Sequence, residues 1–160
     1  MKDDMLFLQF KIDGERYLIE ARDVMEIVPF AHLKKVPGAP AYVAGLLNYR
    51  GSSIPVIDVC YLMSEKGCEL KLGSRIALVN YKKDDGKKVS IGLLIEHMTE
   101  TVSLRESDFK ASGVKLSGHA YLGDVVINDT GIVQRLNAEK ILPDEARCML
   151  LEAVPSRESA

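Results

Sequence analysis

A mainly β chain, built from two similar small barrels, is the fold class this sequence predicts. Three observations lead there. Short apolar runs alternate with polar residues along most of the length, as in Leu6–Ile12. Compact turn signals such as Asp13-Gly14 and Asp85-Gly86 separate those runs. The order of motifs in the first half then returns in the second.

The elements follow in order. Leu6, Leu8, Phe10 and Ile12 share one side of a strand, with Gln9 and Lys11 on the other. Asp13-Gly14 turns it into Arg16–Ile19, because both central residues of such a hairpin need positive φ. Asp23–Val28 (DVMEIV) changes period: Val24, Ile27 and Val28 would share a face of a short helical turn capped by Asp23. Pro29 and Pro37-Gly38-Ala39-Pro40 interrupt regular structure. GLLNYRGSSIPVIDV (45–59) reads as a hairpin turned at Gly51, with Pro55 at an edge or bulge because it cannot donate to a ladder. Asp58–Met63 reads as one helical turn and Ser64–Ser74 as a loop. Arg75–Tyr81 and Val89–Ile95 pair across Asp84-Asp85-Gly86. Arg105–His119 is irregular. Tyr121–Ile127 and Ile132–Leu136 make a third hairpin around Asn128-Asp129-Thr130-Gly131. Ala138–Leu151 is the best helix candidate, split by Pro143, and the tail VPSRESA is loose.

The repeat supports two units. Val24-Met25-Glu26 corresponds to Met98-Thr99-Glu100, Tyr42-Val43-Ala44-Gly45 to Tyr121-Leu122-Gly123, and the turn glycine Gly51 to Gly131. The expected division is one subdomain over residues 6–63, a second over 75–142, and a tail over 143–160.

Composition excludes several classes. An apolar fraction of 47% supports a packed core, and a net charge of −2 argues against a general nucleic-acid binder. No run approaches the ~18 apolar residues of a membrane span, and MKDDMLFLQF carries two early acids and only a short apolar run, unlike a signal peptide. Cys60, Cys68 and Cys148 form an odd set without C-x-x-C spacing, so they read as reduced thiols of a cytoplasmic protein, with no zinc and no disulfide framework. His32, His97 and His119 are scattered and share no metal-binding spacing. There is no G-x-S-x-G elbow and no phosphate-cradling glycine pattern. Lys82–Lys88 is basic around two acids and reads as a solvated hairpin tip.

Without catalytic motifs, surfaces become the candidates. Gln9-Phe10 with Tyr17, then DVMEIV, PGAPAYVAGLLNYRGSSIPVIDV and VSIGLLIEHMTETVSL, together resemble the CheW-type coupling protein of bacterial chemotaxis. Asn48, Arg50, Gly51, Pro55, Val56, Ile57 and Asp58 match that family's hairpin, while Tyr49 replaces its usual leucine. The resemblance runs from about Leu6 to Leu142. It implies two five-stranded SH3-like barrels on a shared core, no catalysis and no cofactor. It also implies two partners: the regulatory domain of a CheA-type histidine kinase and the cytoplasmic tip of a methyl-accepting chemoreceptor. Nucleic acid and direct membrane insertion are not implied.

Carried over residue by residue, the partner-binding candidates are Val24, Glu26, Gly45, Asn48, Tyr49, Arg50 and Gly51, with Met98, Glu100 and Thr101 in the second half. Gly45 and Gly51 suit turns whatever the partner, and Val24 suits a core position. Tyr49 is either an aromatic anchor or an inward-packed ring. Glu26 and Arg50 are expected to form a charge-assisted contact that braces the helical turn against the hairpin. The competing function is a β-barrel enzyme or ligand-binding protein with a pocket between the halves, Arg50 and Asp58 being its polar groups.

Overall fold

A computed structural model describes residues 4–82 and 86–147. Ten strands carry the fold: β1 (Asp4–Ile12), β2 (Glu15–Glu20), β3 (Val24–Pro29), β4 (Val43–Tyr49), β5 (Ser52–Asp58), β6 (Arg75–Lys82), β7 (Lys88–Ile95), β8 (His97–Arg105), β9 (Leu122–Asn128) and β10 (Gly131–Leu136). One helix, α1 (Val59–Ser64), follows β5, and short 3-10 turns lie at Ala21–Asp23, Glu106–Asp108 and Ala138–Lys140. Strands dominate, as the alternating runs require.

The strands form two five-stranded sheets, ordered β8-β1-β2-β10-β9 and β3-β6-β7-β5-β4. Each sheet curls so that its two end strands nearly meet. One isolated bridge closes each seam, Lys110–Val125 in sheet one and Lys34–Leu46 in sheet two. Parallel pairing of β10 with β2 and of β5 with β7 completes both sheets in the same way.

The expected division at Ser64–Ser74 is corrected by this order. Sheet two takes β3, β4 and β5 from before that loop and β6 and β7 from after it. Sheet one joins β1 and β2 to β8, β9 and β10. The motif repeat itself is real: β1–β5 and β6–β10 follow the same plan, but each half lends its leading hairpin to the other's sheet. Matching details confirm the correspondence. Asp58 N–H donates to the Tyr42 carbonyl at 2.7 Å, and Asn137 N–H to the Tyr121 carbonyl at 2.8 Å. Asp58 then caps α1 through Tyr61 N–H, and Asn137 caps its 3-10 turn through Glu139 N–H, both at 3.0 Å.

The exchanged hairpins explain where the core sits. In β6, Ile76 and Leu78 fill sheet two, while Ala77, Val79 and Tyr81 face a joint core between the sheets. In β2, Leu18 faces sheet one, while Tyr17 and Ile19 face the joint core. Strands buried on both faces read as continuous apolar runs, as RIALVNY does.

Three local expectations change. Asp23–Val28 is not a helical turn: Asp23 ends the 3-10 turn and Val24–Pro29 is strand β3. The register shifts between Val24 and Glu26, so Val24 and Ile27 both reach the joint core and imitate helical spacing. Gln9, expected on the side of the strand away from Leu8 and Phe10, is buried beside a similar register shift, and Phe7 rather than Leu6 fills sheet one. Of the helix expected over 138–151 and split by Pro143, the described residues form a 3-10 turn at Ala138–Lys140 and, beyond Pro143, only a short α-helix at Asp144–Ala146. Residues 148–151, the loose tail and most of the Asp84-Asp85 turn lie outside the described residues.

Candidate functional site

The hairpin joining β4 to β5 is tight. Tyr49 pairs with Ser52, leaving Arg50 and Gly51 as the two-residue turn, both at positive φ (53° and 86°). That is the mirror-image turn that suits the right-handed twist of two strands, and glycine is its favoured second residue. The Asn48 side chain accepts the Gly51 N–H at 3.0 Å and fixes the turn from inside. Arg50 is a non-glycine residue in the left-handed region, and it is exposed.

Three side chains converge there. The Tyr49 hydroxyl donates to Glu26 Oε1, and Arg50 Nη2 lies 3.6 Å from the same oxygen. The Arg50 guanidinium carbon sits 4.9 Å from the centre of the Tyr49 ring, within cation–π range. Hydrogen bonding to the Glu26 carboxylate raises the Tyr49 pKa, burial and the carboxylate's charge add to the rise, and Arg50 opposes it. Glu26 lies on β3 and Tyr49 on β4, the two end strands of sheet two, so this contact spans the seam that Lys34–Leu46 closes. The expected Glu26–Arg50 pair is present, but it braces strand to hairpin rather than helix to hairpin. The pair is open, with side chains 75% and 38% exposed, so it contributes only ~0–1 kcal/mol.

The remaining candidates have other places. Gly45 is buried behind the rim, at a φ of 146°, and a Cβ there would stand 2.6 Å from the Lys34 carbonyl oxygen. Its glycine is required by the close approach of the seam. Val24 and Met98 are partly buried and pack on the joint core. Glu100 and Thr101 are exposed on β8, opposite Gln9 and Leu8 of β1. They belong to sheet one, so the structure does not gather all ten candidates into one constellation.

Sequence reasoning missed several features. Arg135 on β10 lies over the Phe7 and Phe109 rings, 5.2 and 5.1 Å from their centres, and 3.0 Å from Glu20. Ile127 and Ile132 are cross-strand partners on β9 and β10 and are 59% and 58% exposed, an apolar pair at the surface. Cys60 and Cys68 are not the expected free thiols: they form a disulfide, because the loop after α1 returns within 5.1 Å, Cα to Cα.

The void described between the sheets does not suit the pocket reading. A void between the sheets has a volume of about 10 Å³, room for no more than one water. Its lining, including Phe10, Ile19, Leu93 and Leu136, is apolar and includes neither Arg50 nor Asp58. Asp58 instead caps α1 and accepts the Cys68 N–H at 3.1 Å. Burial raises its pKa, its backbone hydrogen bonds lower it, and Glu96 adds a smaller rise.

A family model described as the CheW-like domain matches residues 6–146. The chemotaxis protein CheW of Bacillus subtilis is 22% identical over 139 residues, covering 86% of each chain. The chemotaxis protein CheW of Helicobacter pylori is 28% identical over 102 residues, 64% of this chain and 59% of that one. The crystal structure of the scaffolding protein TtCheW from Thermoanaerobacter tengcongensis superposes with a TM-score of 0.74 at 22% identity, covering 86% of both chains. At that identity the likeness speaks for the fold.

Proposed function

The chain belongs to the CheW-like domain family, and from that premise we propose that it is a non-enzymatic adaptor coupling chemoreceptor cytoplasmic tips to a CheA-type histidine kinase. The observation that carries the reading is the family match across both sheets. The Glu26–Tyr49–Arg50 rim supplies a surface for one partner, and the exposed Ile127–Ile132 pair offers an apolar contact for another. The adaptor works in the cytoplasm, peripheral to the membrane at the receptor array. Among the described residues no helix is long and apolar enough to span a membrane.

The mechanism is positional. The adaptor holds receptor tip and kinase regulatory domain in a geometry through which the receptor's state biases the kinase. Tethering alone does not achieve this, since coupling needs contacts that differ between the two states. Arg50 acts as an exposed cation at the rim, with Tyr49 as its platform and Glu26 limiting where it points.

The test is a calorimetric titration against the kinase regulatory domain, with a receptor-tip helical bundle titrated in parallel. Wild-type protein is expected to bind both. Arg50→Ala is expected to weaken one of them while its thermal unfolding stays unchanged. Binding to neither partner would reject the adaptor reading.

A further inference from the structure

The Cys60–Cys68 pair takes no part in the proposed docking. The geometry points to it as a thiol–disulfide exchange site, opened at Cys68 by a dithiol, whose state decides whether the segment Glu65–Gly73 is held against the fold. This goes beyond the adaptor reading and stands whether or not that reading is right.

Two asymmetries carry the inference. The first is access. Cys60 lies in the first turn of α1 within the joint core and is 2% exposed. Cys68 is only partly buried, in a stretch whose neighbours Glu65, Lys66, Gly67, Glu69 and Leu70 are all exposed. Approach from solvent therefore favours the Cys68 side of the bond over the Cys60 side, and access decides which sulfur is attacked.

The second asymmetry is anchorage. From Glu65 to Leu72, Cys68 is the one side chain that packs on the hydrophobic cores, and it touches both the joint core and that of sheet two. Leu70 and Leu72 add no anchor, being 54% and 99% exposed. At its far end the segment is held separately, where Ser74 is fully buried and accepts the Lys71 N–H at 2.9 Å. Glu65 N–H is tied back to the Tyr61 carbonyl at 2.8 Å, and the Glu69 carbonyl accepts the Ser74 hydroxyl at 3.4 Å; between those ends the disulfide, the packing of Cys68 and the Cys68 N–H bond to Asp58 hold the segment. Breaking the disulfide removes the one covalent tie of an exposed segment and leaves it to a few hydrogen bonds and the contacts of one small side chain, and such segments open at low cost.

The exchange balances with a dithiol as reductant. Its thiolate attacks the Cys68 sulfur, the S–S bond breaks, and Cys60 leaves with the electron pair and takes up a proton. The second thiol then attacks the mixed disulfide and releases Cys68 as a thiolate, which is protonated in turn. The dithiol ends as a cyclic disulfide, and the cysteine pair has gained two electrons and two protons.

The experiment uses the full chain carrying Cys148→Ser, so that only this pair is counted. The protein is labelled with N-ethylmaleimide before and after brief treatment with dithiothreitol, the labelled peptides are mapped by mass, and amide hydrogen exchange is followed in both states. The expected result is no label before reduction. After it, Cys68 labels at least tenfold faster than Cys60, and amides of residues 65–72 exchange at least tenfold faster while β6 and β7 are unchanged. Cys68→Ser should reproduce the exchange of the reduced protein. Free thiols in the air-oxidised protein, equal labelling of the two cysteines, or unchanged exchange on reduction would each overturn the proposal.

Discussion

Each sheet carries an arginine laid over aromatic carbon beside a glutamate, and the two clusters differ mainly in access to water. In sheet one, Arg135 covers the Phe7 and Phe109 rings and binds Glu20, with side chains 25% and 8% exposed. In sheet two, Arg50 covers Tyr49 beside Glu26, with side chains 75% and 38% exposed. The same parts serve different ends. Where water is excluded, removing one charge strands the other, so the cluster belongs to the fold. Where water is admitted, the pair is worth little to stability and the cation remains available to a partner.

That contrast is open to breakage, and the largest effect should come from the shielded cluster. Arg135→Ala uncovers two rings and leaves Glu20 with only the exposed Arg22, 2.6 Å away. A loss of about 2–3 kcal/mol in urea unfolding is expected, below the full cost of breaking a buried pair because Arg135 is itself partly exposed. A loss under about 0.5 kcal/mol would erase the distinction between the clusters.

Two glycines of the repeated motif give the next comparison. Gly45→Ala forces a Cβ against the Lys34 carbonyl at positive φ and should cost about 2 kcal/mol. At the corresponding position in the other half, Gly123→Ala meets the Arg135 carbonyl at 3.3 Å with no positive φ and should cost under about 1 kcal/mol. Equal losses would show that the close approach across the seam at Gly45 is no more restrictive than the ladder contact between β9 and β10 at Gly123.

A smaller effect belongs to the joint core. Burial pushes the Tyr121 pKa up to about 12, with a minor contribution from Tyr17. A raised folded-state pKa means that the unfolded chain ionises first. Stability therefore falls as pH rises from about 10 towards 12, by at most about 1.4 kcal/mol per unit from this group. Tyr121→Phe should flatten that limb in unfolding experiments at graded pH, and an unaltered slope would mean that other groups produce it.

The smallest effect is at the open rim. A double-mutant cycle on Glu26 and Arg50 should give a coupling of about 0.5 kcal/mol, shrinking with added salt. Coupling above about 2 kcal/mol would place this pair in the structural class of Arg135 and Glu20.

What the sequence disclosed was local. The Asp13-Gly14 turn, the Arg50-Gly51 hairpin and α1 follow from neighbouring residues, and each formed as expected. The Glu26–Arg50 contact was also legible, because the hairpin motif and the apolar-x-Glu motif could be recognised separately. The exchange of hairpins was not, since nothing in LQFKI or RIALVNY says which half supplies the neighbouring strand. The Arg135 cluster draws on residues 7, 20, 109 and 135, a set that only the closed sheet assembles. The strand β3 was misread because its register shift places Val24 and Ile27 on one side with a helix-like interval.

The exchange also sets an order of events during synthesis. Sheet two is contiguous from Val24 to Ile95, so it lies as an insert within sheet one, whose strands come from both flanks. On a ribosome the inner sheet has all its strands by the time β7 has emerged. The hairpin of β1 and β2 must wait, its Phe7 and Leu18 side uncovered, until β8 and then β10 arrive. A nascent chain with its residues up to about 100 outside the ribosome would therefore hold one finished sheet and one open edge, the state in which a passing strand from another chain could most readily be captured.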